Sequence, residues 1–318
     1  AYFAVNTFTT GIYRAWFSLG DRVAAAQLAA MLLSFVLFLL MAERVSRGRA
    51  RYHNTTGRNR PMAGARLRGM AAMLAVIGCL LPLLLGFVLP AFLLLKMALA
   101  EGDAQFGERF LLLSRNSFFL AGVTSLTAVL LALLLAYAAR LSKNSLATGL
   151  NRLVGLGYAV PGAVIAVGVL IPVTRLDNWL AGQWEQWFGS NPGLLLTGGI
   201  AALVYAYLVR FLAVALHTVE SSLAKITPNM DDAARCLGLG QGATLRRVHA
   251  PMLRGSLFTA GLLVFVDVMK ELPATLVMRP FNFDTLATQA YTLASDERLA
   301  EASTASLAIV AVGLLPLI

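Results

Sequence analysis

Seven apolar runs of bilayer-spanning length limit what this chain can become. They cover residues 24–42, 70–95, 117–139, 153–172, 194–216, 256–278 and 302–318. A helix needs about 20 such residues to cross the hydrocarbon core. Inside lipid, every backbone N–H and C=O must be satisfied within the protein, which a helix does from its own hydrogen bonds. The runs therefore predict an all-α, polytopic transmembrane bundle. The chain is 58% hydrophobic and only 13% charged, which excludes an ordinary soluble domain. Its two cysteines, Cys79 and Cys236, lie far apart and form neither a disulfide framework nor a zinc spacing.

Lys and Arg choose between the two orientations of seven spans. With the 43–69 linker inside, the loops near 140–152 and 217–255 are inside as well. Sixteen Lys and Arg residues then lie inside: eight in the linker, three in the second loop and five in the third. Nine fall outside or at outer helix ends, and Arg210 lies within a span. Only Glu43, Glu220, Asp231 and Asp232 join the inner side, which carries +12 against −3 outside. One outer loop places Leu176, Trp179, Leu180, Trp187 and Phe188 at roughly helical spacing. That spacing predicts a short helix in the outer interface, where Trp is favoured.

The two ends of the chain resemble each other. Thr7, Thr10 and Tyr13 align with Thr285, Thr288 and Tyr291 at an offset of 278. After a two-residue gap, Asp21, Arg22, Ala24 and Ala26 align with Glu297, Arg298, Ala300 and Ala302 at an offset of 276. An apolar span follows in both copies. Residues 1–45 are then expected to be the tail of a first transmembrane repeat. Residues 46–68 form a basic cytoplasmic linker, and 69–318 a second, nearly whole permease domain of six spans. A first copy of the polar loop described next should stand about 278 residues ahead of Asp232, before the first residue of this sequence.

Between two spans lies DDAARCLGLGQGATLRRVHAP, Asp231 to Pro251. A dinucleotide loop needs a strand ahead of its glycines, and none is available between membrane helices. A phosphate loop needs Gly-Lys, a pair absent from the chain. A DNA-reading helix-turn-helix fails too: its turn would hold the extra glycines Gly240 and Gly242, and Pro251 falls where a recognition helix should continue. A docking element fits. Thr227 can cap a helix opened by Pro228, with Asp231 and Asp232 near its positive end. Met230, Ala233, Ala234 and Leu237 make a small apolar face, and Gly238 suits a left-handed C-terminal cap. A second short helix is expected from Ala243 to Ala250, with Arg246 and Arg247 exposed.

These residues resemble the cytoplasmic loop of ABC importer permeases, of the form Glu-Ala-Ala-x3-Gly-x9-Ile-x-Leu-Pro. Asp232, Ala233 and Ala234 are followed by Gly238 after three residues, and then after nine by Val248-His249-Ala250-Pro251. The departures are Asp for Glu, Val for Ile and Ala for Leu. The resemblance implies the type I ABC importer permease fold. It also implies an ATPase-coupling loop at about 223–255, carried by Asp232, Ala233, Ala234, Gly238, Val248 and Pro251. A second stretch, VMKELPATLVMRPFNFDTLATQAY from Val268, is similar to permeases of bacterial ferric-iron importers, which are often fused two-copy chains. GYAVPGAVIAVG from Gly157 is similar to a pore-side helix of that group. Permeases for thiamine, sulfate and polyamines share much of this pattern.

Asp267, Lys270 and Glu271 fall inside the 256–278 run, where each charge costs about 2.5–3.5 kcal/mol at mid-bilayer. Asp267 is expected to pair with Lys270 at i,i+3, and Pro273 to loosen the helix beyond them. Pro161 and Gly162 sit in a glycine-rich, bendable stretch. These six residues are candidates for the translocation path or gate, with a buried structural ion pair and close helix packing as the competing readings. His53, His217 and His249 form no metal cluster. By resemblance, the partners are a dimeric cytoplasmic ABC ATPase subunit and a periplasmic substrate-binding protein, in the bacterial inner membrane. No nucleic-acid partner, cofactor, metal site or catalytic constellation is expected of the chain itself. An ion-coupled secondary transporter, with the Asp267, Lys270 and Glu271 charges as its relay, is the alternative from another class.

Overall fold

The computed structural model describes residues 7–47, 67–101, 107–142 and 145–317. Most of the basic linker expected over 46–68 lies outside the described residues. In chain order the helices are α1 (Phe8–Tyr13), α2 (Arg22–Arg47), α3 (Met70–Leu83), α4 (Leu89–Glu101), α5 (Glu108–Leu141), α6 (Ser145–Gly155) and α7 (Gly162–Phe188). They continue as α8 (Ala201–Leu223), α9 (Pro228–Cys236), α10 (Gln241–Thr244), α11 (Ala250–Met269), α12 (Pro273–Met278), α13 (Leu286–Ser295) and α14 (Leu299–Gly313). No strand occurs among the described residues. Six helical stretches are long and apolar enough to cross a membrane. The seventh expected run is a shorter apolar helix, Leu299–Gly313.

The centre is a three-helix packing of α5, α8 and α11. Lipid tails are as apolar as leucine, so burial of apolar area does little to join helices there, and close backbone approach matters more. The buried face of α5 accordingly carries small residues, Ala121, Ser125, Ala128, Ala132 and Ala136. Ser125 Oγ donates to the Gly261 carbonyl of α11 at 2.7 Å, an approach that the missing side chain of Gly261 allows. The α3–α4 stretch has none of its most apolar window buried and packs on α14. Helix α1, the π turn after it and helix α2 pack on α7, through Ile12, Ala15, and Ala25 with Ala29 respectively, against Ala163, Val164 and Val167.

Prolines explain two local departures from α geometry. Pro90 and Pro251 each lack an N–H, and in a straight helix each ring would meet the carbonyl four residues earlier. In both cases the preceding turn widens to π geometry, Leu84–Val88 and Leu245–His249. The helix thus runs on unbroken, with Leu89 N donating to Leu84 O and Ala250 N to Leu245 O.

Four expectations are corrected. The run 153–172 is broken at Leu156–Pro161, where Pro161 holds Val160 in extended geometry and caps α7; Gly157 within the break lies against the α8 backbone, and a Cβ there would overlap the Val209 carbonyl. The aromatic outer segment is no separate interfacial helix; Leu176 to Phe188 extend α7 without a break. The span expected from 194 becomes helical only at Ala201. Residues 195–197 are instead held by the buried Asp177 carboxylate, which accepts from the N–H groups of Leu195, Leu196 and Thr197 and from the Thr197 hydroxyl. Finally, the run 256–278 is not one helix: α11 stops at Met269, and α12 begins at Pro273, the position where a missing N–H costs least.

Candidate functional site

The polar stretch expected to dock a partner folds as α9, a glycine turn and α10. Thr227 occupies the N-cap with extended backbone and Pro228 opens α9, though the Thr227 side chain makes no capping hydrogen bond. Gly238 adopts φ +78°, the left-handed cap that its lack of a Cβ permits, and Gly238 N donates to Arg235 O. Asp232, Ala233 and Gly238 are exposed, and Leu237 is 81% exposed. Met230 shares this outward surface. Two details differ from expectation. Ala234 is only 4% exposed, so it faces the bundle and not a partner. The second short helix does not end at Ala250: α10, the π turn and α11 are continuous, and Val248 and Pro251 are the foot of a span. The element is thus half knob and half helix extension, with Arg246 and Arg247 exposed at its base.

Beneath α9 lies a polar junction that sequence reasoning missed. Arg140, in the last turn of α5, donates to Asp231 Oδ2 through Nε at 3.0 Å and Nη2 at 2.8 Å. The same guanidinium donates to the Leu223 and Ile226 carbonyls, each at 2.9 Å, at the C-terminal end of α8. One planar, five-donor group thus joins α5, α8 and α9, which a lysine could not do in the same geometry. His249 is fully buried in the π turn, with Nε2 2.7 Å from Asp231 Oδ1 but off the line of a directed hydrogen bond. Tyr137 packs edge-on against His249 and donates its hydroxyl to the Gln241 carbonyl at 2.8 Å. The only hint in sequence was Arg140 at the end of a span, where a basic residue suits a helix C-terminus without any partner.

A second cluster forms where α11 breaks. Glu271 is buried and accepts from Arg210 Nη1 of α8 at 3.0 Å. Gly162, the first residue of α7, faces this pair: a Cβ there would overlap the Glu271 carboxylate and the Arg210 guanidinium. Thr275 donates to the Glu271 carbonyl at 2.5 Å and shares a 2.5 Å hydrogen bond with the fully buried Tyr207 hydroxyl. Pro161 caps α7 and Pro273 opens α12, so both prolines border the cluster. Lys270 does pair with Asp267, at 2.8 Å, as the i,i+3 spacing predicts. It is 58% exposed, however, and sits outside the buried cluster. The six path candidates therefore separate: Pro161, Gly162, Glu271 and Pro273 converge around Arg210, while Asp267 and Lys270 form their own pair. Arg210 was visible only as a lone charge in a span. Among the described residues, no group of three or more His, Cys, Asp or Glu side chains could hold a metal ion.

Comparison with known proteins bears on both clusters. Residues 128–318 match the family described as "Binding-protein-dependent transport system inner membrane component", a stretch that holds both the α9 element and the Arg210 cluster. The chain is 27% identical over 314 residues to the "Fe(3+)-transport system permease protein FbpB 2" of Haemophilus influenzae, covering 96% of this chain and 58% of that protein. It is 25% identical over 160 residues to the "Putative 2-aminoethylphosphonate transport system permease protein PhnV" of Salmonella typhimurium, covering 50% of this chain and 54% of that one. The chain thus spans little more than half the length of these relatives. A chain of a bacterial alginate ABC transporter, solved with an alginate-bound periplasmic protein, superposes with TM-score 0.59 at 15% identity, covering 77% of this chain and 91% of that one. The bundle therefore has the fold of an ABC importer permease, and the chain belongs to the family of binding-protein-dependent transport system inner membrane components.

Proposed function

We propose that the chain is the second half, with the tail of the first, of a fused two-copy permease in an ATP-driven importer, and that its solute is ferric iron. The observation that carries the coupling part is the α9 element. Its outward face offers Met230, Ala233 and Leu237 without tertiary cover, while Asp231 on its inner side is clamped to two spans through Arg140. An exposed apolar face on a rigidly held knob suits a partner's groove, and here that partner is the cytoplasmic ATPase. A periplasmic binding protein delivers the solute, and the α9 side faces the cytoplasm, a placement that the Lys and Arg distribution supports. The Arg210 cluster, with Pro161, Gly162, Glu271 and Pro273, lines or gates the path. Ferric iron is supported by the relative that matches 96% of this chain and is named for Fe(3+) transport. The 1–45 tail is supported as a first-copy segment by its packing on α7.

The test uses the full-length permease expressed with candidate ATPase and binding-protein subunits from its own source, in a host lacking its own ferric uptake. Radiolabelled ferric iron should accumulate only with all three components, and should stop when the ATPase carries an inactive nucleotide site. Uptake of 2-aminoethylphosphonate but not iron would replace the solute and keep the transporter class. Uptake that follows a proton or sodium gradient without the ATPase would overturn the class.

A further inference from the structure

The two ends of the chain match in geometry as well as in sequence. Thr7 and Thr285 stand at helix N-caps with nearly the same backbone angles, φ −117°, ψ 164° and φ −115°, ψ 166°. Each builds the same reciprocal cap three residues on. Thr7 N donates to Thr10 Oγ1 at 2.8 Å and Thr10 N to Thr7 Oγ1 at 3.3 Å. The equivalent bonds between Thr285 and Thr288 are 2.8 Å and 3.3 Å. In each copy a short helix follows, then a break, then an apolar helix. Tyr13 and Tyr291 each lie six residues after their capping threonine.

These two tyrosines touch. Their ring centroids are 6.5 Å apart with planes at 70°, an edge-to-face contact. When like copies are related by a two-fold axis, a residue meets its own counterpart only at the axis. If the two copies are so related, the contact puts the axis between the rings. A cavity of about 320 Å³ adjoins the pair. Its lining includes Tyr13, Arg14 and Tyr291 together with Ala163, Pro273 and Leu276. Ala163 follows Gly162 in the chain and Pro273 lies two residues after Glu271, so part of the lining is close in sequence to the Arg210 cluster. In transporters built from repeats, the solute site lies at the repeat interface and access alternates by one repeat rocking against the other.

We propose that Tyr13 and Tyr291 form the outer closure of the solute path, and that the solute passes between the two rings when the copies separate there. This rests on the reading of the chain as part of a two-copy permease. The contact is aromatic, with no ion pair between the rings, so opening it strips no charge. Burial, and next the neighbouring Tyr291, hold the Tyr13 phenol above its ordinary range against the opposing pull of Arg279. Tyr13 therefore remains a neutral hydroxyl at physiological pH.

The experiment uses the full-length permease with its ATPase and binding protein, freed of cysteines including Cys79 and Cys236, and carrying Tyr13→Cys with Tyr291→Cys. One of a series of bifunctional methanethiosulfonate reagents of graded span should link the two thiols, since the native side chains at these positions are in contact. Uptake should fall to the level of membranes without the permease and return on reduction. The cysteine-free parent, treated alike, should keep its uptake; a parent with no uptake at all indicts the transport reading and not the closure. A link with undiminished uptake overturns the closure, and failure to link overturns the axis placement. Should the double variant not reach the membrane, Tyr291→Cys alone decides. Its labelling by an impermeant thiol reagent from outside should change severalfold when the ATPase is trapped with nucleotide, and equal labelling in both states overturns the proposal.

Discussion

Arg140→Met removes the guanidinium that joins three elements, and its cost can be worked from the contacts. Four hydrogen bonds vanish: two to Asp231 Oδ2, one to the Leu223 carbonyl and one to the Ile226 carbonyl. Breaking a buried ion pair from one side costs about 3–5 kcal/mol, because the other charge stays behind without its partner. The Arg140 and Asp231 side chains keep 17% and 18% of their exposure, so water reaches them and the low end applies. A destabilisation of about 3 kcal/mol is expected, with an apparent melting temperature in detergent lower by about 4–5 °C. Adding Asp231→Leu removes the stranded carboxylate, and about half of the loss should return. The functional expectation is separate. With α9 no longer tied to α5 and α8, movement of the knob is not passed to the spans, so uptake per ATP hydrolysed should fall at equal membrane abundance. Thermal unfolding of the four members of the cycle, together with uptake and ATPase rates on the same membranes, makes the comparison. A single Arg140→Met variant as stable and as well coupled as the parent would refute the clamp. So would a double variant less stable than the single.

Three further outcomes are expected. Leu237→Glu should leave membrane abundance unchanged and abolish uptake, because the residue is 81% exposed on the docking face, whereas Ala234→Glu should lose abundance by forcing a charge into the bundle; measuring abundance and uptake together separates the two, and normal uptake with Leu237→Glu would remove the docking role. Glu271→Gln should cost about 3 kcal/mol by leaving the partly buried Arg210 without its anion, while Lys270→Met should cost less, about 1–2 kcal/mol, since Lys270 is itself 58% exposed although the Asp267 it leaves behind is largely buried; the reverse order on a thermal unfolding assay would show that the two pairs have been ranked wrongly. Cysteines at Gly48 and Asn144 should be shielded from impermeant thiol reagents added outside, and those at Gly102 and Gly189 labelled, in a background without Cys79 and Cys236; reversed labelling would invert the orientation and place α9 on the wrong face.

What the sequence determined by itself is what can be written along one dimension. Apolar length names the spans, because a bilayer imposes one thickness on every helix that crosses it. Motif spacing located the α9 element, because its cap, proline and glycine act through neighbours two to five positions away. The threonine repeat at offset 278 was legible for the same reason: each cap is a local device, copied intact. Tertiary structure decided everything that needs two distant residues to meet. Glu271 had Lys270 beside it in sequence, yet its partner is Arg210, 61 positions away on α8. Asp231 belongs to Arg140, 91 positions away on α5. Ala234 and Ala233 are indistinguishable as letters, but packing turns one inward and leaves the other outside. Pro161 and Pro273 marked weak points in two apolar runs, but that the helices stop there, at Leu156–Pro161 and after Met269, was not legible, because hydropathy reports that a segment is comfortable in lipid and is silent on whether its helix continues. The breaks come with close contacts, such as Gly157 against the Val209 carbonyl and Gly162 against the Arg210–Glu271 pair, and these exist only once α7, α8 and α11 are side by side.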